Sequence, residues 1–219
     1  MKLIPIADAP ARAAEISQVL TDGGLACFPV NGTYRLAADA TSDAAITRLA
    51  QSKRRARNHP ALVLVSDLGA TRSIVDGASW AITQRLAGEL WPGPLTLALP
   101  PSNQLPAKLR KLLARATGTI GVRVPDDPLA AHVLRAFGRP LLLSSANLER
   151  KPGASSAATV RQRFVGAVDV WVDAGDVTPT AASTIVELTE TSWKVVRDGA
   201  VPLARLERAA AAAAAAGAG

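Results

Sequence analysis

Three groups of residues in this chain could do chemistry on an anionic ligand. Lys53, Arg54 and Arg55 place a lysine point charge beside arginine forks, a combination that can follow charge as it moves onto a leaving pyrophosphate. The same cluster also suits a solvated helix end, so it does not decide the matter alone. Arg123, in GVRVP, is more informative, because it interrupts an apolar strand and alternation must send it to solvent or into a cleft. A strand arginine in a cleft can grip a carboxylate with two parallel hydrogen bonds. The stretch PLLLSSAN, Pro140 to Asn147, runs an apolar strand into Ser144, Ser145 and Asn147. Ligands of open α/β sheets gather beyond the carboxyl ends of strands, although these residue types also form ordinary turns.

Other chemistries are poorly supplied. His59 and His132 are the only histidines and have no partner spacing for a metal, so a protein-ligated metal is not expected. Neither a GxSxG elbow, a Walker phosphate loop nor a GxGxxG fingerprint occurs. Cys27 is the single cysteine, which rules out an internal disulfide and a cysteine-built zinc site, and its setting in LACFP reads as a packed core thiol. A formal charge of +7 favours nucleotides, pyrophosphate or nucleic acid as partners. With aromatic residues at only 4%, a base-stacking surface is not favoured.

The elements that must position these groups follow from periodicity. Helices are expected over Ala11 to Leu20 and over Ser79 to Leu90. Others follow a Thr41 or Ser42 cap, with Ile46 and Leu49 inward, and an Asp127 cap, with Leu129, Val133, Leu134 and Phe137 inward. A short basic segment around Leu109 and a helix over Ala158 to Phe164 complete the set before Pro202. Strands are expected at Leu25 to Pro29, Ala61 to Val65, Leu95 to Leu99, Thr119 to Val124 and the opening of PLLLSSAN. Three more fall at Val168 to Val172, Ser183 to Leu188 and Trp193 to Arg197, the last two as a hairpin. VNGTYR reads as a loop. Alternating elements with late strands predict an α/β fold on a mixed sheet. We expect one domain over residues 1–205 and an alanine-rich tail over 206–219 that frays. No apolar run approaches the ~18 residues of a membrane span, so a cytoplasmic protein without membrane contact is expected.

Lys53-x-Arg55, WPGPLT (Trp91 to Thr96), GVRVP, SAN (Ser145 to Asn147), Ser183-Thr184 and RDGA (Arg197 to Ala200) occur in the order and approximate spacing of the YrdC-like family. Each motif is weak alone, but six in register make a strong resemblance, covering roughly residues 10 to 205. The resemblance implies a twisted open sheet of parallel and antiparallel strands, with flanking helices around a concave basic cavity. It also implies nucleotidyltransferase chemistry: L-threonine, bicarbonate or CO2 and ATP give L-threonylcarbamoyl-adenylate and pyrophosphate, for modification of adenosine 37 in tRNA.

Carried over position by position, Lys53, Arg55 and Arg123 are the catalytic residues. ATP falls to Lys53, Arg55, His59, Thr119, Asn147, Ser155 and Arg197, and threonine to Thr33, Tyr34, Arg123, Ser145 and Ser183. Mg2+ is expected to arrive with ATP, held by phosphate oxygens. tRNA or another RNA, and proteins that transfer the threonylcarbamoyl group, are the implied macromolecular partners.

The chain departs from the family at Pro29 to Leu36, where the motif Pro-Thr-(Asp/Glu)-Thr-x-Tyr-Gly-Leu becomes PVNGTYRL. Both threonines and the acid leave their places, and Arg35 stands where the family has glycine. Two alternatives to threonine adenylation follow. One is an RNA-binding module without synthesis, and the other is the same adenylation on a different amine.

Overall fold

The computed structural model describes residues 1–53, 62–76, 80–146, 156–189 and 192–211. Its strands are β1 (Lys2–Pro5), β2 (Ala26–Val30), β3 (Thr33–Asp39), β4 (Leu62–Leu64), β5 (Leu95–Leu99), β6 (Ile120–Arg123), β7 (Leu141–Ser145), β8 (Val170–Asp173), β9 (Thr184–Leu188) and β10 (Trp193–Arg197). The helices are α1 (Ala13–Thr21), α2 (Asp43–Ser52), α3 (Trp80–Leu90), α4 (Ala107–Leu113), α5 (Pro128–Phe137), α6 (Ala157–Phe164) and α7 (Leu203–Ala211). The ten described strands form one sheet in the order β1-β8-β2-β3-β7-β4-β6-β5-β9-β10. Pairing is mixed as expected: β4 with β6 and β5 with β9 are parallel, while β3 with β7, β5 with β6 and β9 with β10 are antiparallel.

Strand alternation divides the core into two layers. On one face Phe28, Ala37, Leu64, Leu141 and Leu143 pack against Ile16 and Leu20 of α1 and Leu129, Val133, Leu134 and Phe137 of α5. The other face buries Leu36, Val63, Leu97, Val122 and Leu142 under residues of the remaining helices, among them Ile46, Leu86, Leu109, Phe164 and Leu206.

Helix α5 shows how local and tertiary signals divide the work. Asp127 accepts from the Ala130 N–H at 3.0 Å, Pro128 opens the first turn, and Gly138 closes the helix at φ 69°. A cap contributes about 1 kcal/mol and each buried large apolar side chain about 1.5–3 kcal/mol, so packing holds the helix and the cap sets where it starts.

Three expectations need correction. VNGTYR is not a loop: only Asn31 and Gly32, at φ 49° and 67°, form the turn, and Thr33, Tyr34 and Arg35 already belong to β3. Two left-handed residues between paired strands make a tight hairpin whose twist matches its flanks. Strand β1 was not anticipated, since it is an edge strand with one buried residue, Ile4. The packed chain also passes the expected boundary at 205, because Leu206 and Ala209 of α7 are buried and the Ala210 carbonyl accepts from Arg85 at 3.3 Å. Residues 212–219 lie outside the described residues.

Candidate functional site

Strand pairing and side-chain contacts collect cations and hydroxyls at strand termini. Pairing of β3 with β7 sets Arg35 opposite Ser145, and Arg35 Nη1 donates to Ser145 Oγ at 2.7 Å. On the neighbouring pair, β4 with β6, Arg123 lies beside Leu64 at the strand end and is only 5% exposed. Farther across, Arg197 of β10 pairs with Ile185, which also pairs with Thr96 of β5. Arg197 Nη2 donates to Ser183 Oγ at 2.9 Å, and Ser183 Oγ lies 3.1 Å from Thr96 Oγ1. The Ser183 carbonyl takes two further bonds from Arg197, at 3.1 and 2.6 Å.

Lys53 approaches from the end of α2. It is 4% exposed, and its ammonium donates to Ser144 Oγ at 2.7 Å and to the Ser145 carbonyl at 2.6 Å. Ser42 starts this helix by accepting from the Ala45 N–H at 3.2 Å, so the cap fixes the phase that delivers Lys53 to β7.

The cations are close enough to disturb one another. Burial lowers the Arg35 guanidinium below its ordinary pKa, and repulsion from Arg197 and Arg123 lowers it further. Arg197 is shifted the same way by burial, then by Arg115 and Arg123. Arginine remains charged under such shifts, so the excess charge is a standing attraction for anions.

Arg123 Nη2 contacts the Asp126 carboxylate and donates to Asn31 Oδ1 at 3.2 Å. Its Nε is buried without a hydrogen-bond partner, as is Arg115 Nη1. A buried unpartnered donor costs about 1–3 kcal/mol, which a ligand oxygen at Arg123 Nε would recover.

The hairpin tip is clamped beside these strand ends. Asn31 N–H donates to Asp127 Oδ2 at 3.1 Å, and the Asn31 carbonyl accepts from Thr180 Oγ1, also at 3.1 Å. A Cβ on Gly32 would stand 1.8 Å from the Thr178 carbonyl oxygen, so the closeness of the two segments requires glycine.

Of the residues expected in the site, Lys53, Arg123, Ser145, Ser183 and Arg197 stand at these strand ends. Thr119 opens β6 from a turn in which its Oγ1 lies 2.9 Å from Thr117 Oγ1 and its carbonyl accepts from the Arg115 N–H at 2.7 Å. Thr33 is buried and donates back to the Val30 carbonyl at 3.2 Å. Tyr34 is the clear misplacement. It belongs to the opposite face, fully buried and stacked on Trp171 at 4.7 Å. Its hydroxyl donates to the Gly175 carbonyl at 2.7 Å and accepts from the Ala174 N–H at 3.0 Å, which leaves it a structural role. Arg55, His59, Asn147 and Ser155 lie outside the described residues.

Sequence reasoning gave no role to Arg35, Asn31, Asp126, Thr96 or Arg115. With the turn confined to Asn31 and Gly32, alternation from Thr33 puts Arg35 on the face of Ala37 and Tyr34 on the other.

A mixed α/β sheet with guanidiniums, an ammonium and hydroxyls collected at its strand ends defines a protein suited to an anionic ligand that also carries hydrogen-bonding groups. The Sua5/YciO/YrdC family model, described as "Telomere recombination", matches residues 18–199, and the chain belongs to that family. A putative threonylcarbamoyl-AMP synthase of Mycobacterium leprae is 34% identical over 207 residues, covering 91% of this chain and 90% of the relative. The threonylcarbamoyl-AMP synthase of Pyrococcus abyssi is 29% identical over 189 residues, 86% of this chain and 54% of that protein. The solved structure of P. abyssi Sua5 complexed with L-threonine superposes with a TM-score of 0.80 at 27% identity, over 95% of this chain and 60% of that one. The chain thus spans little more than half the length of these archaeal relatives. Escherichia coli YciO shares the fold, with a TM-score of 0.74 at 23% identity over 94% of this chain and 98% of that one.

Proposed function

We propose that this chain joins L-threonine, bicarbonate or CO2 and ATP into L-threonylcarbamoyl-adenylate, releasing pyrophosphate, and that its product feeds proteins that transfer the threonylcarbamoyl group to adenosine 37 of tRNA. The observation that carries this reading is the buried guanidinium of Arg123, with Nε unpartnered, among the strand termini where Lys53 ties down the Ser144-Ser145 strand end. An α-carboxylate fits that guanidinium, and a triphosphate fits the surrounding cations. Support also comes from the relatives named as threonylcarbamoyl-AMP synthases and from the L-threonine complex of the archaeal structure.

The threonine amine attacks CO2, forming the carbamate N–C bond and losing a proton. A carbamate oxygen then attacks the α-phosphorus, and the bond to the pyrophosphate oxygen breaks. Arg123 holds the amino-acid carboxylate, while Lys53 and Arg197 offset negative charge on the nucleotide. Such transfers depend on positioning and charge neutralisation, so no protein nucleophile is required. Arg55, His59, Thr119, Asn147 and Ser155 are proposed to contact the nucleotide, and Ser145, Ser183 and Thr33 the amino-acid end.

No group of three metal-ligating residues occurs among the described residues, and Asp126 is already paired with Arg123. A cationic cluster of this kind fits Mg2+ only as a complex with ATP, where the ion would draw charge from the phosphates. Among the described residues no helix is long and apolar enough to cross a membrane.

The test is pyrophosphate release from purified protein given ATP, labelled bicarbonate and L-threonine. Label should enter a threonylcarbamoyl adduct, and Arg123→Ala should abolish it. Pyrophosphate release that ignores threonine and every other amine would exclude the synthase. RNA retention at moderate salt that is lost on reversing Lys53 and Arg197, with no ATP binding, would support the RNA module instead.

A further inference from the structure

Arg123 already holds a carboxylate of its own chain, three residues away: Nη2 contacts Asp126 Oδ1 and donates to Asn31 Oδ1 at 3.2 Å. An Nη nitrogen carries two hydrogens, so these two acceptors use both. A two-pronged grip on a carboxylate takes Nε together with Nη2, as Arg12 shows by holding Glu15 with Nε at 2.8 Å and Nη2 at 3.0 Å. On Arg123 that pair is half used, because Asp126 engages it through one oxygen and Nε is buried without a partner. An incoming carboxylate can form both bonds only if one acceptor leaves Nη2.

The surroundings decide which one leaves. Asn31 is fixed at the hairpin tip, its N–H donating to Asp127 Oδ2 and its carbonyl accepting from Thr180 Oγ1, both at 3.1 Å, so it stays and keeps the guanidinium oriented. Asp126 is not held in this way. Its side chain is 39% exposed, and the cap of α5 belongs to Asp127, which accepts from the Ala130 N–H at 3.0 Å. Turning Asp126 toward solvent breaks its contact with Arg123 and a long 3.4 Å bond from Asn31 Nδ2, and leaves the helix cap intact.

We propose that Asp126 is a resident carboxylate of the amino-acid subsite, which occupies Arg123 until the α-carboxylate of the substrate exchanges for it. This inference rests on the assignment of Arg123 to that α-carboxylate. Exchange keeps a negative charge beside a guanidinium that is only 5% exposed, and it replaces a single bond by a parallel pair. It also makes Asp126 specificity-determining, since a ligand without a carboxylate cannot displace it from Arg123.

Calorimetric titration of L-threonine, and of L-threoninol, which has an alcohol in place of the carboxylate, tests this without requiring turnover. Asp126→Asn removes the competing charge and keeps the shape of the side chain. L-threonine should then bind about three- to tenfold tighter, between the weight of an exposed ion pair and that of a charge-assisted hydrogen bond, while L-threoninol should not gain. Asp126→Ala, which leaves no acceptor there, should also tighten L-threonine, with melting temperature confirming that both variants fold. Because Arg123 is buried, the gain should persist in about 0.5 M sodium chloride.

Affinity for L-threonine that is unchanged or weaker in both variants overturns the proposal. So does a gain shared by L-threoninol or abolished by salt. Pyrophosphate release separates this inference from the reading beneath it: tighter L-threonine binding with no threonine-dependent release refutes adenylation and leaves the exchange standing. Threonine-dependent release with unchanged affinity in the variants refutes the exchange alone, and no binding of L-threonine by any form refutes both.

Discussion

Lys53 joins two elements through one ammonium, and its removal should be felt twice. Lys53→Met leaves the Ser145 carbonyl without its 2.6 Å donor and removes a positive charge from the strand ends. Stability should fall by about 1–3 kcal/mol in urea denaturation. The rate constant for pyrophosphate release should fall about 100-fold, the usual cost of losing a donor aimed at developing charge. Tyr34 provides the contrast, since it faces Trp171 and the 174–175 backbone, on the face opposite Arg35. Tyr34→Phe leaves the Ala174 N–H without its acceptor, so it should cost about 1–2 kcal/mol of stability. Substrate dependence should be unchanged; a selective loss of amino-acid affinity would return Tyr34 to the site. Cys27 is fully buried, and burial pushes its thiol pKa well up. A thiol reagent should therefore leave the native protein unmodified at pH 8 and titrate one equivalent only after denaturation.

The β2–β3 hairpin is the element on which local sequence and site geometry meet. Asn31-Gly32 is a strong hairpin signal, and reading all of VNGTYR as loop hid two consequences: Tyr34 turns into the core, and Arg35 turns toward Ser145. The turn residues were legible, but the strand after them was not, because Thr33 to Asp39 carries an arginine and two alanines where a clear apolar alternation would announce it. The clamp by Thr178 and Thr180 was beyond reach of periodicity, since it joins segments almost 150 residues apart. Gly32→Ala tests it. The substitution forces a left-handed alanine, at about 1–2 kcal/mol, and also drives its Cβ into the Thr178 carbonyl. Affinity for the amino acid should drop as Asn31 shifts off Arg123. Gly138→Ala is the control: φ is similar at 69° but a Cβ there meets open space, so it should cost the same strain and leave affinity intact.

At the scale of the molecule, the mixed sheet and most helices could be read from periodicity and caps, and Arg123 of GVRVP and Ser144-Ser145 fell at strand ends as their patterns required. The convergence of Arg35, Arg115, Arg123 and Arg197 could not be read, because it depends on strand order. Arg123 and Arg197 lie on strands that are not neighbours, and β5 and β9 intervene between them. Convergence makes the folded state a better anion binder than the unfolded chain, and linkage turns that difference into stability. A ligand at about 100 times its Kd adds about 2.7 kcal/mol. For a chain of this size each kcal/mol raises the melting temperature by about 2–4 °C. Pyrophosphate near saturation should therefore raise the transition by roughly 5–11 °C, measured by calorimetry at fixed pH. Arg197→Ala removes one of the converging charges and should reduce that shift. Sodium chloride at matched ionic strength screens the exposed Arg197 but reaches the buried Arg123 poorly, so it should give a much smaller rise. An equal rise with chloride would mean that diffuse surface repulsion, and not a polyanion site at the strand ends, is what pyrophosphate relieves.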